Sequence, residues 1–139
     1  MSKRWWNIIV GVTALFFGGG LYVFLRSGSY VAGLFDGVDW VVRLRLVLKP
    51  YAYGPVSYLL PDYLWGLSLS CSLVTICEPD AKGLFFCVAL AFACGCIWEM
   101  VQFLGVVQGT CDILDVLMYF LASLSCVLLN LRRDYNEKN

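Results

Sequence analysis

The stretch GLFFCVALAFACGCIWEMVQFL, residues 83–104, decides the fold of this chain. It matches the roughly 20 residues that an α-helix needs to cross the hydrocarbon core of a bilayer, which is about 30 Å thick. Its one charged residue is Glu99, and its many small residues allow another helix to pack closely against it. The stretch therefore predicts a membrane-spanning helix with an acidic group near its end.

The composition of the whole chain agrees with a membrane location. Of its 139 residues, 60% are hydrophobic and 14% are charged, and the mean hydropathy is +0.76. A soluble domain carries about 25% charged residues. Three further apolar segments can cross a bilayer, at about 7–25, 62–76 and 112–131, with Pro61 either kinking or starting the second of them. We predict an all-α integral membrane four-helix bundle, in which 1–139 form a single transmembrane domain.

The segment 30–60, between the first two spans, mixes charged and apolar residues and is too charged to cross the membrane. An amphipathic helix lying in the interface is favoured, although the alternation over 42–46 leaves a short strand possible. Basic residues flank both ends of the chain, and this pattern favours cytoplasmic N- and C-termini. The interfacial segment is then extracytoplasmic.

Several classes of function are excluded by composition. The chain has no histidine, which excludes a Ser–His–Asp triad, a histidine general base and a histidine-ligated metal. Ten basic residues balance ten acidic residues, so no nucleic-acid partner is implied. The seven cysteines lie mostly in apolar segments without a C-x-x-C motif, and we interpret them as packing residues. We expect neither a cofactor nor a bound metal.

The candidate site is a group of polar residues that the predicted topology places at the outer boundary. Asp62 and Asp112 are predicted to start helices, where a carboxylate caps free backbone N–H groups. Glu99 shares a helix face with Gln102, three positions later. Asp115 shares a helix face with Tyr119, four positions later. The candidate ligand-binding residues are Glu99, Gln102, Asp112, Asp115, Tyr119, Asp62, Arg43 and Arg45.

Two interpretations of these polar faces are open. They form a clamp between the third and fourth spans, or they line a small pocket that opens to the outer leaflet beside residues 105–111. A carboxylate at mid-bilayer costs about 3 kcal/mol, which favours a functional role. Paired carboxylates can bind an ammonium or hydroxyl-rich headgroup, transfer protons, or hold a cation. Arg43 and Arg45 either reach a lipid phosphate above the pocket or make ordinary headgroup contacts.

The order Glu99-x-x-Gln102, a short turn, then Asp112-x-x-Asp115 resembles a pattern of the VanZ-like family of small bacterial membrane proteins. That pattern is E-x-x-Q followed by R-x-x-D-x-x-D-x-x-x-N-x-x-G, and the likeness covers about 55–131, including the four-span layout. The arginine, asparagine and final glycine of the family pattern fall on Gly109, Tyr119 and Ala122. Because glycine stands at the arginine position, the resemblance implies that Arg43 or Arg45 compensates the charge of the acidic residues in this chain.

The resemblance implies an envelope protein of the bacterial inner membrane, with a link to glycopeptide resistance or envelope homeostasis. The leading hypothesis is that the chain binds a lipid or lipid-linked cell-wall component through its acidic residues. The alternative is a non-enzymatic subunit or scaffold of a larger membrane complex, docked through 18–20 on the first span. Its partners would be membrane lipids and other membrane protein subunits. A metal-assisted hydrolase is least favoured because histidine is missing, so enzymatic activity is not favoured.

Overall fold

The structure is a computed structural model that describes residues 3–25, 33–52, 54–107 and 111–138. In this part of the chain every regular element is a helix. The helices are α1 (Lys3–Leu25), α2 (Asp39–Leu48), α3 (Pro55–Cys77), α4 (Ala81–Phe103) and α5 (Ile113–Lys138), with a 3-10 turn at Lys49–Tyr51.

Four of these helices, α1, α3, α4 and α5, are long and apolar enough to cross a membrane. This result confirms the prediction of an all-α four-helix bundle and indicates a multi-pass membrane protein. The connection between α1 and α3 contains α2, which is a helix, so the short strand over 42–46 is not formed.

Helix α3 is the centre of the bundle. It packs against α1, α4 and α5, and α4 also packs against α5. The core is built mainly from small and medium-sized side chains, among them Cys71, Ala122 and Cys126, which are fully buried. Small side chains let membrane helices approach closely, because bilayer lipid is as apolar as leucine and provides no hydrophobic force between helices.

Helix α5 shows how the bundle distributes polar and apolar residues. Its buried residues Tyr119, Ala122, Cys126 and Asn130 recur every three or four positions, which places them on one helix face. Its large apolar residues are exposed instead, among them Phe120, Leu124 and Leu128. The side chains on the packed face are thus smaller and more polar than those on the outward face.

The second span begins earlier than Asp62, and this corrects the predicted role of that residue. Gly54 precedes α3 with a φ of 147°, which glycine tolerates, and Pro55 fits the first turn because it needs no backbone donor there. Asp62 therefore lies inside α3, directly after the fully buried Pro61. It does not cap a helix, and the residue is only 6% exposed.

The ends of α4 and α5 follow local capping rules. Asp80 Oδ1 accepts a hydrogen bond from the Gly83 N–H at 2.7 Å at the start of α4. Gly105, with a φ of 69°, follows the end of α4 in the left-handed conformation. Asp112 Oδ1 accepts from the Leu114 N–H at 2.9 Å, so the prediction that Asp112 starts the last helix is confirmed.

Helix α1 is joined to the bundle at both ends. Near its start, Asn7 and Asn130 exchange side-chain hydrogen bonds of 2.9 and 3.2 Å. The start of α1 and the end of α5 therefore lie at the same end of the bundle.

Of the three glycines predicted to admit a neighbouring helix, Gly18 does so, because a Cβ there would lie 3.2 Å from Leu64. A Cβ at Gly19 or Gly20 would meet no described atom within 4 Å.

Arg45 fastens α2 to the other end of α1. Its Nε donates to the carbonyl oxygen of Val23 at 2.7 Å, and its guanidinium also forms an ion pair with Asp36. Val23 lies in the last turn of α1, where carbonyl groups lack partners within the helix. Trp40 of α2 also packs against Phe24, with ring centroids 6.1 Å apart.

Arg45→Ala is expected to release α2, whereas Arg43→Ala, on the same helix but exposed, is not. Hydrogen bonds involving a charged group contribute about 1.5–3 kcal/mol, so amide exchange over 39–48 should accelerate by roughly tenfold or more in the Arg45 variant. Hydrogen–deuterium exchange by mass spectrometry measures the effect. Equal exchange in the two variants would contradict this role for Arg45.

Candidate functional site

The hydroxyl of Tyr119 lies between two acidic side chains from different helices. It donates toward Asp62 Oδ1 of α3 at 3.3 Å and toward Glu99 Oε1 of α4 at 3.5 Å. Exposed fractions are 7% for Tyr119, 6% for Asp62 and 3% for Glu99. A phenol carries a single proton and can donate it fully to one acceptor at a time. The two acids therefore share one donor inside the bundle.

A second phenol, that of Tyr22, reaches the same place from α1. Its hydroxyl donates to Asp62 Oδ1 at 3.2 Å, and its ring packs edge-on against Trp65 with centroids 6.3 Å apart. All four spanning helices thus contribute to one group of side chains, the carboxylate–tyrosine cluster. This cluster consists of Tyr22, Asp62, Glu99 and Tyr119.

Tyr22 was not among the residues selected from the sequence. The available signal was its position one turn before the end of the first span, on the side of the membrane to which the acidic residues were assigned. Many aromatic residues lie at such a depth as ordinary interfacial anchors. Position alone therefore did not distinguish Tyr22 from an anchor.

Two glycines create the space for the Tyr119 ring. A Cβ placed on Gly95 of α4 would lie 2.6 Å from Cγ and Cδ2 of Tyr119. A Cβ on Gly66 of α3 would lie 3.2 Å from Cδ1 of the same ring and 3.1 Å from Ala122. The ring is thus held between two helix backbones, which fixes its hydroxyl at the level of the two acids.

Glu99 also connects the interior to the exposed end of the bundle. Its Oε2 accepts a hydrogen bond from the backbone N–H of Asp112 at 3.3 Å. Asp112 is exposed and caps α5. The polar contacts therefore run from the surface at Asp112, through Glu99 and Tyr119, to the buried Asp62.

The two remaining acidic or amide candidates lie one helical turn along the chain from Glu99 and Asp112. Gln102, three residues beyond Glu99, and Asp115, three beyond Asp112, are both half-buried. Hydrogen bonds join the other selected residues of this end, namely Asp62, Glu99, Tyr119 and the backbone of Asp112. That any of these residues binds a ligand stays a prediction.

The two arginines were expected to reach a lipid phosphate or to compensate the acids. Arg45 is engaged with Val23 and Asp36, and Arg43 is exposed on α2. The described contacts of Glu99 come from neutral donors, a phenol and a backbone amide. The described partners of Glu99 are therefore neutral dipoles of the bundle, and neither arginine is among them.

The chemistry available to the cluster is hydrogen-bond acceptance, cation binding and proton transfer. The hydrogen bonds described above for it measure 3.2–3.5 Å. Typical distances are about 2.5–3.0 Å for O–H···O and about 2.7–3.2 Å for N–H···O. A donor that approached Glu99 more closely would therefore bind it more strongly than its two described partners do. Within the described residues, no group of three or more histidine, cysteine, aspartate or glutamate side chains is arranged to hold a metal ion.

Comparison of the chain with protein families, with characterised proteins and with solved structures finds no match. The resemblance to the VanZ-like family accordingly stays a prediction that rests on the motif residues.

Proposed function

We propose that this chain binds a lipid or a lipid-linked cell-wall component through the carboxylate–tyrosine cluster, as a VanZ-like protein of the bacterial inner membrane. Both termini face the cytoplasm, and the cluster lies toward the outer leaflet. The ligand offers an ammonium or hydroxyl-rich headgroup to the acids while its apolar part stays in the bilayer. The biological role is envelope homeostasis or resistance to glycopeptides.

The observation that carries this proposal is the burial of two acidic side chains beside the Tyr119 hydroxyl, with long hydrogen-bond distances to Glu99. Glu99 is 3% exposed, yet its two described contacts measure 3.3 and 3.5 Å. Burying a carboxylate in a membrane protein is costly unless the gain elsewhere is large. Strong donors on a ligand supply that gain, because charge-assisted hydrogen bonds are shorter and roughly twice as strong as neutral ones.

The surroundings of the cluster support a ligand with an apolar part. Helix α2 is fastened to the same end of the bundle by Arg45 and by the packing of Trp40 on Phe24. It exposes large apolar side chains, including Leu46 and Val47 at 66% and 68%. An amphipathic helix of this kind lies at the boundary between headgroups and acyl chains. A headgroup that entered beside Asp112 would therefore meet Glu99 while its acyl chains remained in lipid.

A binding experiment tests the proposal. The purified chain is placed in phosphatidylcholine nanodiscs that contain a small fraction of phosphatidylethanolamine, of a diglycosyl lipid or of phosphatidylglycerol, and retained lipid is counted by native mass spectrometry. We expect selective retention of the amine or sugar lipid over phosphatidylglycerol. Glu99→Gln should weaken that retention by roughly tenfold or more, equivalent to about 1.4 kcal/mol, because the amide keeps the shape but loses the charge.

Glu78→Gln is the matched control for this experiment. Glu78 undergoes the same chemical change at the opposite end of the bundle, where it forms an exposed ion pair with Arg4. Its substitution should leave lipid retention unchanged. Equal retention by wild type and the Glu99 variant would reject the proposal. That outcome would favour the alternative of a scaffold subunit, for which the open positions Gly19 and Gly20 provide a docking face.

A further inference from the structure

Two cysteines from different helices meet in the centre of the bundle. The sulfur atoms of Cys71 on α3 and Cys126 on α5 are 3.9 Å apart, and the Cys71 thiol donates toward Cys126. Both residues are 0% exposed. They belong to the apolar core, with Leu67, Val74 and Val127 nearby in the same cluster. The two thiols are therefore in direct contact in a region without solvent.

Neighbouring groups hold this pair in place. The side-chain amide of Asn130 donates to the carbonyl oxygen of Cys126 at 2.8 Å and toward its sulfur at 3.7 Å. On the other side, Cys71 packs against α1, because a Cβ on Gly11 would lie 3.2 Å from its own Cβ. Asn130 also pairs with Asn7. The two sulfurs thus lie where α1, α3 and α5 meet.

We propose that Cys71 and Cys126 form an oxidisable dithiol, a modification site that closes to a disulfide between α3 and α5. The two S–H bonds break and one S–S bond forms. The two protons and two electrons pass to a bilayer-soluble acceptor of the quinone or azo class, which becomes the quinol or hydrazine. The sulfurs must approach from 3.9 Å to about 2.05 Å, a change that side-chain rotation and a small helix shift can supply.

The surroundings select the kind of oxidant. Cys71 and Cys126 are fully buried among the spanning helices, with Asn130 as a polar neighbour of Cys126, so a charged, water-soluble oxidant has no favourable route to them. The disulfide is uncharged and remains compatible with this core. Closing it links the central helix α3 covalently to α5, two helical turns from Tyr119 along the same face of α5. Oxidation therefore restrains the two helices that carry Asp62 and Tyr119 of the carboxylate–tyrosine cluster.

The sequence offers a direct way to detect this bond. Lys82 is the single lysine or arginine between residues 50 and 131, so cleavage after Lys82 separates Cys71 from Cys126. A full-length variant retains these two cysteines, with alanine at the other five. It is treated in nanodiscs with the azo oxidant diamide, unfolded with N-ethylmaleimide to block remaining thiols, and then cleaved. We expect linked fragments that dithiothreitol separates and a loss of both maleimide adducts.

The control is the same variant with Cys126→Ser in addition, whose fragments should stay separate after diamide. In the wild-type chain, each of the two fragments contains other cysteines, and sequencing of the joined fragments by tandem mass spectrometry should assign the bond to Cys71 and Cys126. The result then does not depend on folding of the variant. Recovery of both thiols as maleimide adducts after diamide treatment would overturn the proposal. Cross-linking of other cysteine pairs in the wild-type chain, with Cys71 and Cys126 still alkylated, would overturn it as well.

Discussion

Replacement of Gly95 with alanine is expected to destabilise the bundle by about 1–3 kcal/mol or more, the cost of overpacking a close-packed core. The new Cβ would lie 2.6 Å from two atoms of the Tyr119 ring. Atoms do not approach this closely, so either the ring or one of the helices α4 and α5 must move. Thermal unfolding of the purified protein in detergent measures the effect as a fall of several degrees in the melting temperature.

Gly19→Ala is the matched control, since a Cβ at Gly19 would meet no described atom within 4 Å. It should leave the melting temperature unchanged or slightly higher, because alanine favours the helix more than glycine does. A second test combines Gly95→Ala with Tyr119→Ala, which removes the ring that causes the clash. The two effects should then be clearly non-additive. Full additivity would contradict the proposed contact.

Tyr119→Phe is expected to destabilise the protein while leaving the ring in its space between Gly66 and Gly95. The substitution removes the hydroxyl that lies within 3.5 Å of both Asp62 and Glu99. A buried acceptor that loses its partner destabilises the folded state by about 1–3 kcal/mol, and by more if the acceptor is charged. Thermal unfolding should show this loss, and if the cluster binds a headgroup, lipid retention should change as well.

Tyr63→Phe provides the comparison for this prediction. Tyr63 also joins α3 to α5, but its hydroxyl donates to the neutral Ser125 Oγ at 2.9 Å. Loss of a neutral hydrogen bond costs about 0.5–1.5 kcal/mol, so the Tyr63 variant should be affected less. A Tyr119 variant as stable as the Tyr63 variant would show that the link to the acids adds nothing to stability.

The two substitutions at the Tyr119 contact distinguish the effect of ring packing from the effect of the hydrogen bonds. Gly95→Ala displaces a ring that keeps its hydroxyl, whereas Tyr119→Phe keeps the ring and removes the hydroxyl. If the cluster binds a headgroup, both changes should weaken lipid retention. If it is only an interhelical clamp, both should lower stability without altering which lipid is retained.

Much of the fold was predictable because its signals are local. The apolar run at 83–104 contains nearly all of α4, and Asp112 was identified as a helix start from its place before an apolar segment. The boundary of α3 was less predictable. Pro61 suggested a helix start, yet Gly54 and Pro55 begin the helix earlier, so Asp62 lies inside the bundle. Either proline satisfies the local rule for a first turn, and tertiary packing decides between them.

The roles of individual polar residues were less accessible. Arg45 was expected to contact lipid or the acids, but it fastens α2 to Val23 at the end of α1. Tyr22 was not identified because pairing between the first and second spans depends on how each helix is rotated. In a soluble helix the apolar face marks the buried side. In this bundle many large apolar residues face outward, so hydropathy does not indicate which residues meet.

The sequence by itself determined four membrane-spanning helices, an amphipathic connection, and an acidic end opposite the chain termini. These features depend on segment length, composition and capping residues, which act within one or two helical turns. Tertiary structure alone decided that Asp62 and Glu99 share the hydroxyl of Tyr119, with Gly66 and Gly95 providing its space. Such contacts depend on the rotation and depth of each helix, which close packing between small residues fixes and no single helix contains.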